Sequence, residues 1–131
     1  MSVAERNAKA LEVEGRCALI KSDWYSAVGG QFDLIVSNPP YIALDEMAEL
    51  APELQYEPRM ALTDDKDGLS CYRAIAAEAP EYLRPGGRLL VEIGWKQGAE
   101  VVGLFDAAGM IDVHVLQDLD GRDRVVVGRN P

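Results

Sequence analysis

The sequence predicts an α/β fold in which a parallel sheet ends in an antiparallel hairpin. Consecutive apolar residues at 32–36 are typical of a buried parallel strand. Helical periodicity over residues 69–83 and 98–108 alternates with strand patterns, as expected for crossover connections. Two last strand patterns, at 111–116 and 124–127, are joined by a short turn that ends in Asp-Gly, which predicts a closing hairpin.

Two further elements are predicted nearer the N-terminus. Residues 2–14 show helical periodicity, and Gly15 is expected to end that helix. Residues 17–20 predict a short apolar strand, and the residues that follow it include Asp23 and Trp24. The predicted order is therefore helix, strand, strand, long connection with a helix, strand, helix, strand and strand.

A long connection follows the strand at 32–36. Residues 41–67 have little periodicity apart from a short helical pattern at 45–50, and they are strongly acidic. Irregular connections of this length are uncommon within one domain and tend to be lids or binding loops. A solvated surface loop is the alternative interpretation.

The C-terminal half contains two residues that bear on the helix and strand assignments. Pro80 is expected to kink the helix at 69–83 or to end it near the preceding residue, because proline lacks the N–H that a helix needs. Residues 84–87 predict a turn before the strand at 88–94. Glu92 lies inside that apolar strand, where a carboxylate has to be paired, near solvent or functional, and we expect a structural hydrogen-bonding role.

The composition excludes several classes of protein. A hydrophobic content of 48% and a charged content of 27% over 131 residues are ordinary for one globular domain. The formal net charge of −9 argues against a broad nucleic-acid-binding surface, which would carry clustered lysine and arginine. No apolar run approaches membrane-spanning length and no signal peptide is evident, so we expect a cytoplasmic protein without a membrane partner.

Isolated residues with reactive side chains predict no additional site. Cys17 and Cys71 lie in no paired cysteine or histidine motif, which argues against a metal site and favours small core residues in a reducing compartment. His114 falls on the polar face of the strand pattern at 111–116, so a solvent-facing position is expected for it rather than a catalytic one.

The most informative stretch is Ser-Asn-Pro-Pro-Tyr at residues 37–41, because open α/β sheets form their ligand crevices at the carboxyl ends of strands. Asn38 offers a carbonyl oxygen and an NH2 group, and Tyr41 adds a flat face with a polar tip. Pro39 and Pro40 fix their φ angles, so that the neighbouring carbonyl groups are held in place. Together these residues could hold a planar NH2-bearing group, although the same pattern also occurs as a simple strand terminator.

These motifs resemble those of the S-adenosylmethionine-dependent release factor glutamine methyltransferases of the HemK/PrmC type. The Asn-Pro-Pro-Tyr sequence at 38–41 matches that family, but adenine and cytosine amino-methyltransferases share it. The similarity covers essentially the whole chain, and the segment that narrows the choice contains Glu57-Pro58-Arg59, Ala61-Leu62, Asp67-Gly68-Leu69 and Tyr72-Arg73. Further matches are Leu83-Arg84-Pro85-Gly86-Gly87, Glu92-Ile93-Gly94, Gln97, Asp118 and Gly121-Arg122-Asp123-Arg124. The resemblance implies a Rossmann-like class I methyltransferase sheet that ends in an antiparallel hairpin.

The resemblance also implies a reaction. The side-chain amide nitrogen of a glutamine in a peptide chain release factor would receive a methyl group from S-adenosylmethionine. Asn38 and the Pro39 carbonyl would each accept one amide N–H and so aim the nitrogen at the methyl group. Pro40 completes this catalytic set, and Tyr41 would pack against the plane of the amide.

The resemblance also implies contacts of the cofactor with two residues that follow the strand predicted at 17–20. Trp24 would lie on the adenine of S-adenosylmethionine with Asp23 beside it, and Asn38 is counted among the cofactor-binding residues as well. Without the resemblance, a tryptophan after a strand end would be interpreted as a core or rim residue. The resemblance implies no metal.

The chain departs from the family pattern at its beginning. The family starts with two strands and a glycine-rich cofactor loop, whereas no Gly-x-Gly-x-Gly occurs here and residues 3–8 match the helix after the second strand. We therefore expect residues 1–131 to be the C-terminal portion of a methyltransferase domain. Such a fragment is expected to be inactive alone, to bind the cofactor weakly or not at all, and to be capable of homodimerisation through exposed strand edges.

Two other functions remain open from the sequence. An N6-adenine methyltransferase of DNA or RNA would use the same Asn-Pro-Pro-Tyr contacts on an exocyclic amine, but the acidic chain offers little to bind phosphates. A non-catalytic remnant that acts as an interaction module is the second alternative. The missing glycine loop favours that alternative, and the intact stretch at 38–41 argues against it.

Overall fold

In the described part of the chain, four strands form one sheet and two helices pack against it. The computed structural model describes residues 2–50, 52–64 and 66–131, so Met1 and residues 51 and 65 of the long connection lie outside the described part. The helices and strands are α1 (Val3–Ala10), β1 (Phe32–Ser37), α2 (Ser70–Tyr82), β2 (Leu83–Glu92), α3 (Gly98–Ala107), β3 (Ile111–Gln117) and β4 (Asp123–Arg129). Short 3-10 helices lie at Glu14–Arg16, Leu44–Glu49, Pro52–Tyr56 and Arg59–Ala61.

The strand order is β1-β2-β4-β3, with β1 and β2 parallel and β4 antiparallel to both of its neighbours. The chain between β1 and β2 includes α2, which is the crossover that parallel neighbours require. The turn after β3 brings β4 back between β2 and β3. The prediction of a parallel α/β sheet that closes in an antiparallel hairpin is therefore confirmed.

The register assigns the side chains to two faces of the sheet. Leu89 pairs with Gly128 and Val91 with Val126, and these residues face α2 and α3; we call this the covered face. Gly128 leaves room for α3, because a Cβ at this position would lie 2.7 Å from a ring carbon of Phe105. The largest fully buried side chains, which form the core on this side, are Tyr72, Phe105, Leu83, Leu89, Ile93, Val91, Val101 and Val126.

The opposite side, which we call the open face, mixes apolar and charged groups. Its members alternate with the core residues along each strand and comprise Leu34, Val36, Arg88, Leu90, His114, Leu116, Val127 and Arg129. His114 is exposed there, as its position in the strand pattern predicts.

The prediction that β1 is a buried strand was wrong, although its bounds agree with the prediction. Leu34 is 54% exposed and Val36 is 67% exposed, whereas Ile35 packs against the core cluster. In the described sheet β1 is an edge strand that pairs only with β2, and Leu34 and Val36 point to the open face. Apolar content therefore predicted the strand but not what covers it.

The region before β1 also differs from its prediction. Residues 17–20 do not form a strand and are exposed, so Cys17 is not a core residue, whereas Cys71 is buried as expected. The helix α1 begins with a complete Ser2–Glu5 capping box and ends at Ala10, four residues earlier than predicted, and it contains no buried residue. A short strand needs a neighbour to satisfy its backbone groups, and no described strand offers one to residues 17–20.

Two local features of the C-terminal half bear on the predictions. The helix α2 includes Pro80 and ends two residues later at Tyr82, close to the end expected from the proline, and the Leu83 N–H donates to the Ala79 carbonyl. The predicted turn at 84–87 is an irregular insertion within β2, since Phe32 pairs with Leu83 and Leu34 with Arg88. In the long connection, the short helix predicted at 45–50 is formed as the 3-10 helix Leu44–Glu49.

None of the helices in the described part of the chain has both the length and the apolar character required to span a membrane.

Candidate functional site

The candidate site lies where the two parallel strands end. Ser37 pairs with Val91, so the residues that follow β1 lie beside Glu92 and Gly94 at the carboxyl edge of the sheet. This arrangement brings together segments that are more than 50 residues apart in the sequence, as the side-chain hydrogen bond from Tyr41 to Glu92 demonstrates. The site is thus built at the edge where the sequence predicted a ligand crevice.

Asn38 and Pro39 differ sharply in exposure. Asn38 is exposed, and its side chain makes no hydrogen bond with any described residue, whereas Pro39 is buried. Pro40 and Tyr41 are half-buried. The turn therefore presents one polar side chain to solvent from a base of buried or half-buried rings.

The ring of Tyr41 is tied to the end of β2. Its hydroxyl donates to Glu92 Oε1 at 3.4 Å, and the carbonyl oxygen of Glu92 accepts the Tyr72 hydroxyl at 2.8 Å. Burial raises the pKa of Tyr41 and the negative charge of Glu92 raises it further, while Arg124 acts in the opposite direction. Tyr41 is thus a neutral hydrogen-bond donor, and Glu92 has the structural hydrogen-bonding contacts expected for it.

A second contact of Tyr41 comes from the start of α3. Gln97 Nε2 donates to the Tyr41 carbonyl oxygen at 2.9 Å, across 56 positions of sequence. The sequence identified Gln97 only as part of a motif match, because no local pattern predicts which distant backbone group a glutamine will bind.

The loop that carries Asp23 and Trp24 is fixed to α2. The Ser22 hydroxyl donates to the Trp24 carbonyl at 2.8 Å and accepts the Ala27 N–H at 2.9 Å. Tyr25 is buried, stacks on Tyr82 with ring centroids 4.5 Å apart, and donates to the carbonyl of Ile75 at 3.2 Å. Anchored in this way, Trp24 is 39% exposed and adopts a φ of 49°, in the left-handed region.

Trp24 and Pro40 line the same cavity, whose volume is about 310 Å³. The structure therefore brings one of the predicted cofactor-binding residues together with the predicted catalytic turn. Asp23 precedes Trp24 in the same loop, but it does not line this cavity. The other lining residues come from the end of the long connection and the start of α2, and they are Met60, Thr63, Asp64, Lys66, Ser70 and Cys71.

The wall of this cavity contains a carboxylate with many hydrogen bonds. Asp64 Oδ1 accepts the N–H groups of Lys66 and Gly68, both at 2.9 Å, and Oδ2 accepts the N–H and the hydroxyl of Ser70. Burial alone would raise the pKa of Asp64, but these hydrogen bonds together lower it to about 2. With its pKa lowered, Asp64 is a carboxylate at neutral pH, and its hydrogen bonds hold the loop before α2 in one conformation.

A second cavity, of about 300 Å³, lies next to Tyr41 at the ends of β1 and β2. Tyr41, Gly94 and Gln97 line it together with Trp95, and its rim carries the acidic side chains Glu46, Asp67 and Glu100. Pro40 lines one cavity and Tyr41 the other, so the turn at 38–41 separates the two spaces. Two reactants could reach this turn from different sides.

Comparisons with known proteins identify relatives along the whole chain. Residues 1–65 match the model of the methyltransferase small domain family. Over its whole length the chain is 59% identical to the release factor glutamine methyltransferase of Cereibacter sphaeroides and 46% identical to that of Caulobacter vibrioides. It covers 48% and 46% of those two proteins.

One solved structure provides an independent comparison of the fold. The crystal structure of a methyltransferase from Pyrococcus furiosus matches this chain with a TM-score of 0.62 at 18% sequence identity. The match covers 97% of this chain and 55% of the Pyrococcus furiosus chain. The chain thus has a methyltransferase-type sheet and spans about half the length of the curated relatives it matches. The resemblance inferred from the motifs is confirmed: along its entire length the chain is similar to the release factor glutamine methyltransferases.

Proposed function

We propose that the chain supplies the substrate-binding half of a methyltransferase site that modifies the side-chain amide of a glutamine in a peptide chain release factor. The observation that carries this proposal is the exposed Asn38 amide, which has no hydrogen-bond partner among the described residues and projects from a turn whose rings are fixed. The names of the relatives supply the substrate class. Because the release factor acts in translation, the reaction would take place in the cytoplasm.

Asn38 and Pro39 would bind the substrate amide through its two hydrogens. The side-chain oxygen of Asn38 and the backbone carbonyl of Pro39 are acceptors, and a primary amide has two N–H groups to donate. Accepting both hydrogens would place the amide plane against Tyr41, with Pro40 keeping the turn rigid. The nitrogen would then have one orientation relative to the site, which is the main contribution that positioning makes to rate.

The same two oxygens would also stabilise the charge that develops in the transition state. The amide nitrogen becomes more positive as it forms a new bond, and two fixed carbonyl dipoles directed at its hydrogens stabilise that charge without reorganisation. The N-methylated amide can lose its proton after transfer, so the chain needs no general base. Tyr41, whose pKa is raised by burial and by Glu92, would stay protonated throughout.

The residues around Trp24 fit a nucleoside-bearing cofactor. The indole is partly exposed, and it lines the cavity of about 310 Å³ that it shares with Pro40, so a planar base could stack there. Trp24 and Asp23 would hold S-adenosylmethionine, and Asn38 would lie between the cofactor and the substrate. When bound, S-adenosylmethionine supplies an electrophilic methyl group on a positively charged sulfur.

Methyl transfer by a chimera tests the proposal. This chain replaces the matching segment of the Cereibacter sphaeroides relative, and the chimera is incubated with methyl-labelled S-adenosylmethionine and either a release factor or DNA. We expect label on the release factor, and loss of the acceptor in Asn38→Ala should lower the rate by roughly a hundredfold or more.

The exposed Asn7 on α1 provides the matched control, because Asn7→Ala makes the same substitution far from the turn and should leave the rate unchanged. Label on nucleic acid alone, or full activity in Asn38→Ala, would contradict the proposal.

A further inference from the structure

The side chain of Gln97 connects three loops at the edge of the sheet. Its Nε2 donates to the carbonyl of Tyr41 at 2.9 Å and to that of Gly68 at 3.3 Å. Its Oε1 accepts the N–H of Gly94 at 2.9 Å, and the Tyr72 hydroxyl lies 3.4 Å from the same oxygen. One half-buried amide therefore holds the turn after β1, the loop before α2 and the loop after β2.

The partners leave only one orientation for this amide. Both groups near Nε2 are carbonyl oxygens, which accept, and the group closest to Oε1 is a backbone N–H, which donates. A flipped amide would place an oxygen against two oxygens and an NH2 against an N–H. Since every hydrogen and the oxygen of the amide are used, neither a carboxylate nor an apolar side chain could replace it without loss.

The backbone around Gln97 indicates that this contact is specific. Gln97 occupies the N-cap position of α3 and its carbonyl accepts the Val101 N–H at 3.0 Å, but its side chain makes no capping hydrogen bond. Side chains at this position commonly satisfy the free N–H groups of the first turn. The side chain of Gln97 instead extends to Tyr41, and the start of α3 holds the Gln97 backbone in place for this contact.

Two glycines allow the three loops to approach the amide. A Cβ at Gly68 would lie 2.5 Å from the Tyr41 carbonyl oxygen and 2.9 Å from Gln97 Nε2, and Gly68 has a φ of +76°. A Cβ at Gly94 would lie 2.9 Å from Gln97 Oε1. At Gly68 a side chain would meet the Tyr41 backbone, and at Gly94 it would displace the Gln97 amide, so both glycines suit the contacts that this amide makes.

The turn at 38–41 is therefore held at both of its ends. Ser37 is paired with Val91 in the sheet, and the Tyr41 carbonyl is held by Gln97. Pro39 and Pro40 between them have fixed φ angles, so few torsions remain free in the segment that carries Asn38. Releasing the Tyr41 end would let the Asn38 and Pro39 acceptors change their relative orientation.

We infer that Gln97 is a positioning residue, whose amide fixes the Tyr41 carbonyl and thereby the geometry of the Asn38 and Pro39 acceptors. This inference rests on the proposed function for its effect on rate, but the contact itself can be tested separately. Gln97 lines the cavity next to Tyr41 and not the cavity next to Trp24. Its loss should therefore disturb the Asn38 and Pro39 acceptors, while the contacts of the cofactor with Trp24, in the other cavity, should remain.

Amide hydrogen exchange in the chain itself tests the contact. In Gln97→Glu the carboxylate can still accept the Gly94 N–H but cannot donate to Tyr41. We expect the Gly94 amide to stay protected. Ile42 directly follows the turn, and its amide, which donates to the Leu62 carbonyl, should exchange roughly fivefold faster. In Gln97→Met both amides should exchange faster, and Gln31→Glu, at an exposed position, should change neither.

The pH dependence adds a readout that a general loss of stability would not produce. Only the protonated form of the introduced carboxyl group can donate to the Tyr41 carbonyl. After correction for intrinsic exchange, the Ile42 rate in Gln97→Glu should therefore return towards that of the unaltered chain as the pH falls. Unchanged Ile42 exchange in both Gln97 variants, or equal loss of protection at all amides in Gln97→Glu, would overturn the inference.

Kinetics of the chimera test the consequence for catalysis. Gln97→Glu should lower kcat by about tenfold to a hundredfold, the range expected for a small misplacement of reacting groups, with an unchanged KM for S-adenosylmethionine. An unchanged kcat would overturn the positioning role. If the unaltered chimera transfers no methyl group, the proposed function fails, and the exchange pattern still decides whether Gln97 fixes Tyr41.

Discussion

The covered and open faces of the sheet are formed by the same four strands, but they differ in what packs on them. On the covered face, Leu89, Val91 and Val126 are fully buried beneath α2 and α3. On the open face, Leu34 and Val36 remain more than half exposed among charged neighbours. Apolar strand residues therefore contribute most to stability where another element excludes water from them.

The largest effect is expected from a truncation on the covered face. Phe105→Ala removes a fully buried ring that lies against Gly128, and it should lower the free energy of unfolding by about 3–5 kcal/mol. Leu116→Ala is the matched change on the open face, where the side chain is 45% exposed, and it should cost less than about 1 kcal/mol. Urea unfolding of the two variants measures both values, and similar losses would show that the open face is buried in solution.

An intermediate effect is expected on self-association. The apolar residues of the open face and the free edge of β1 could be covered by a second copy of the chain, in line with the proposed homodimer. Light scattering over a range of concentrations should detect a dimer, and Val36→Lys should weaken it at least about tenfold, because the ammonium group would lose water.

Val3→Lys, at an exposed position on α1, serves as the control for this association. A mass equal to that of one chain at every concentration would contradict the dimer.

The smallest effect is expected from an ion pair on the open face. Arg129 Nε lies 2.7 Å from Asp112 Oδ2, but both side chains are exposed to water. Asp112→Asn removes the charge and retains a residue that tolerates the φ of 55° at this position, so the loss should be about 0.5 kcal/mol or less and should vanish at high salt. Asp33→Asn, which breaks the exposed pair with Arg84, should behave in the same way, and a loss above about 1.5 kcal/mol in either variant would contradict this interpretation.

The sequence predicted those parts of the fold that depend on local patterns. The bounds of β1, the helices α2 and α3 and the closing hairpin follow from apolar periodicity and turn residues, which act over a few positions. Burial of β1 and pairing of residues 17–20 were predicted wrongly, because each depends on neighbouring elements that a local pattern does not specify.

In the candidate site, too, the features that follow from local sequence were predicted and those that depend on distant contacts were not. The position of Asn38 at the carboxyl edge followed from the general behaviour of parallel strands, and the structure places it there. The contact between Trp24 and the cavity at Pro40 depended on the family resemblance, since an isolated tryptophan has many possible environments. The role inferred for Gln97 became visible only in the three-dimensional structure, because its partners Tyr41, Gly68 and Gly94 come from three separate loops.

The two consecutive prolines of the turn also affect which chemical groups it can bind. Neither Pro39 nor Pro40 has a backbone N–H, so this short segment of main chain offers acceptors without donors beside them. A glutamate carboxylate in place of the glutamine amide would bring oxygen against the Asn38 and Pro39 oxygens, with no hydrogen between them. Because the main chain offers no N–H donor at these two prolines, the turn would favour an amide over a carboxylate of nearly identical shape.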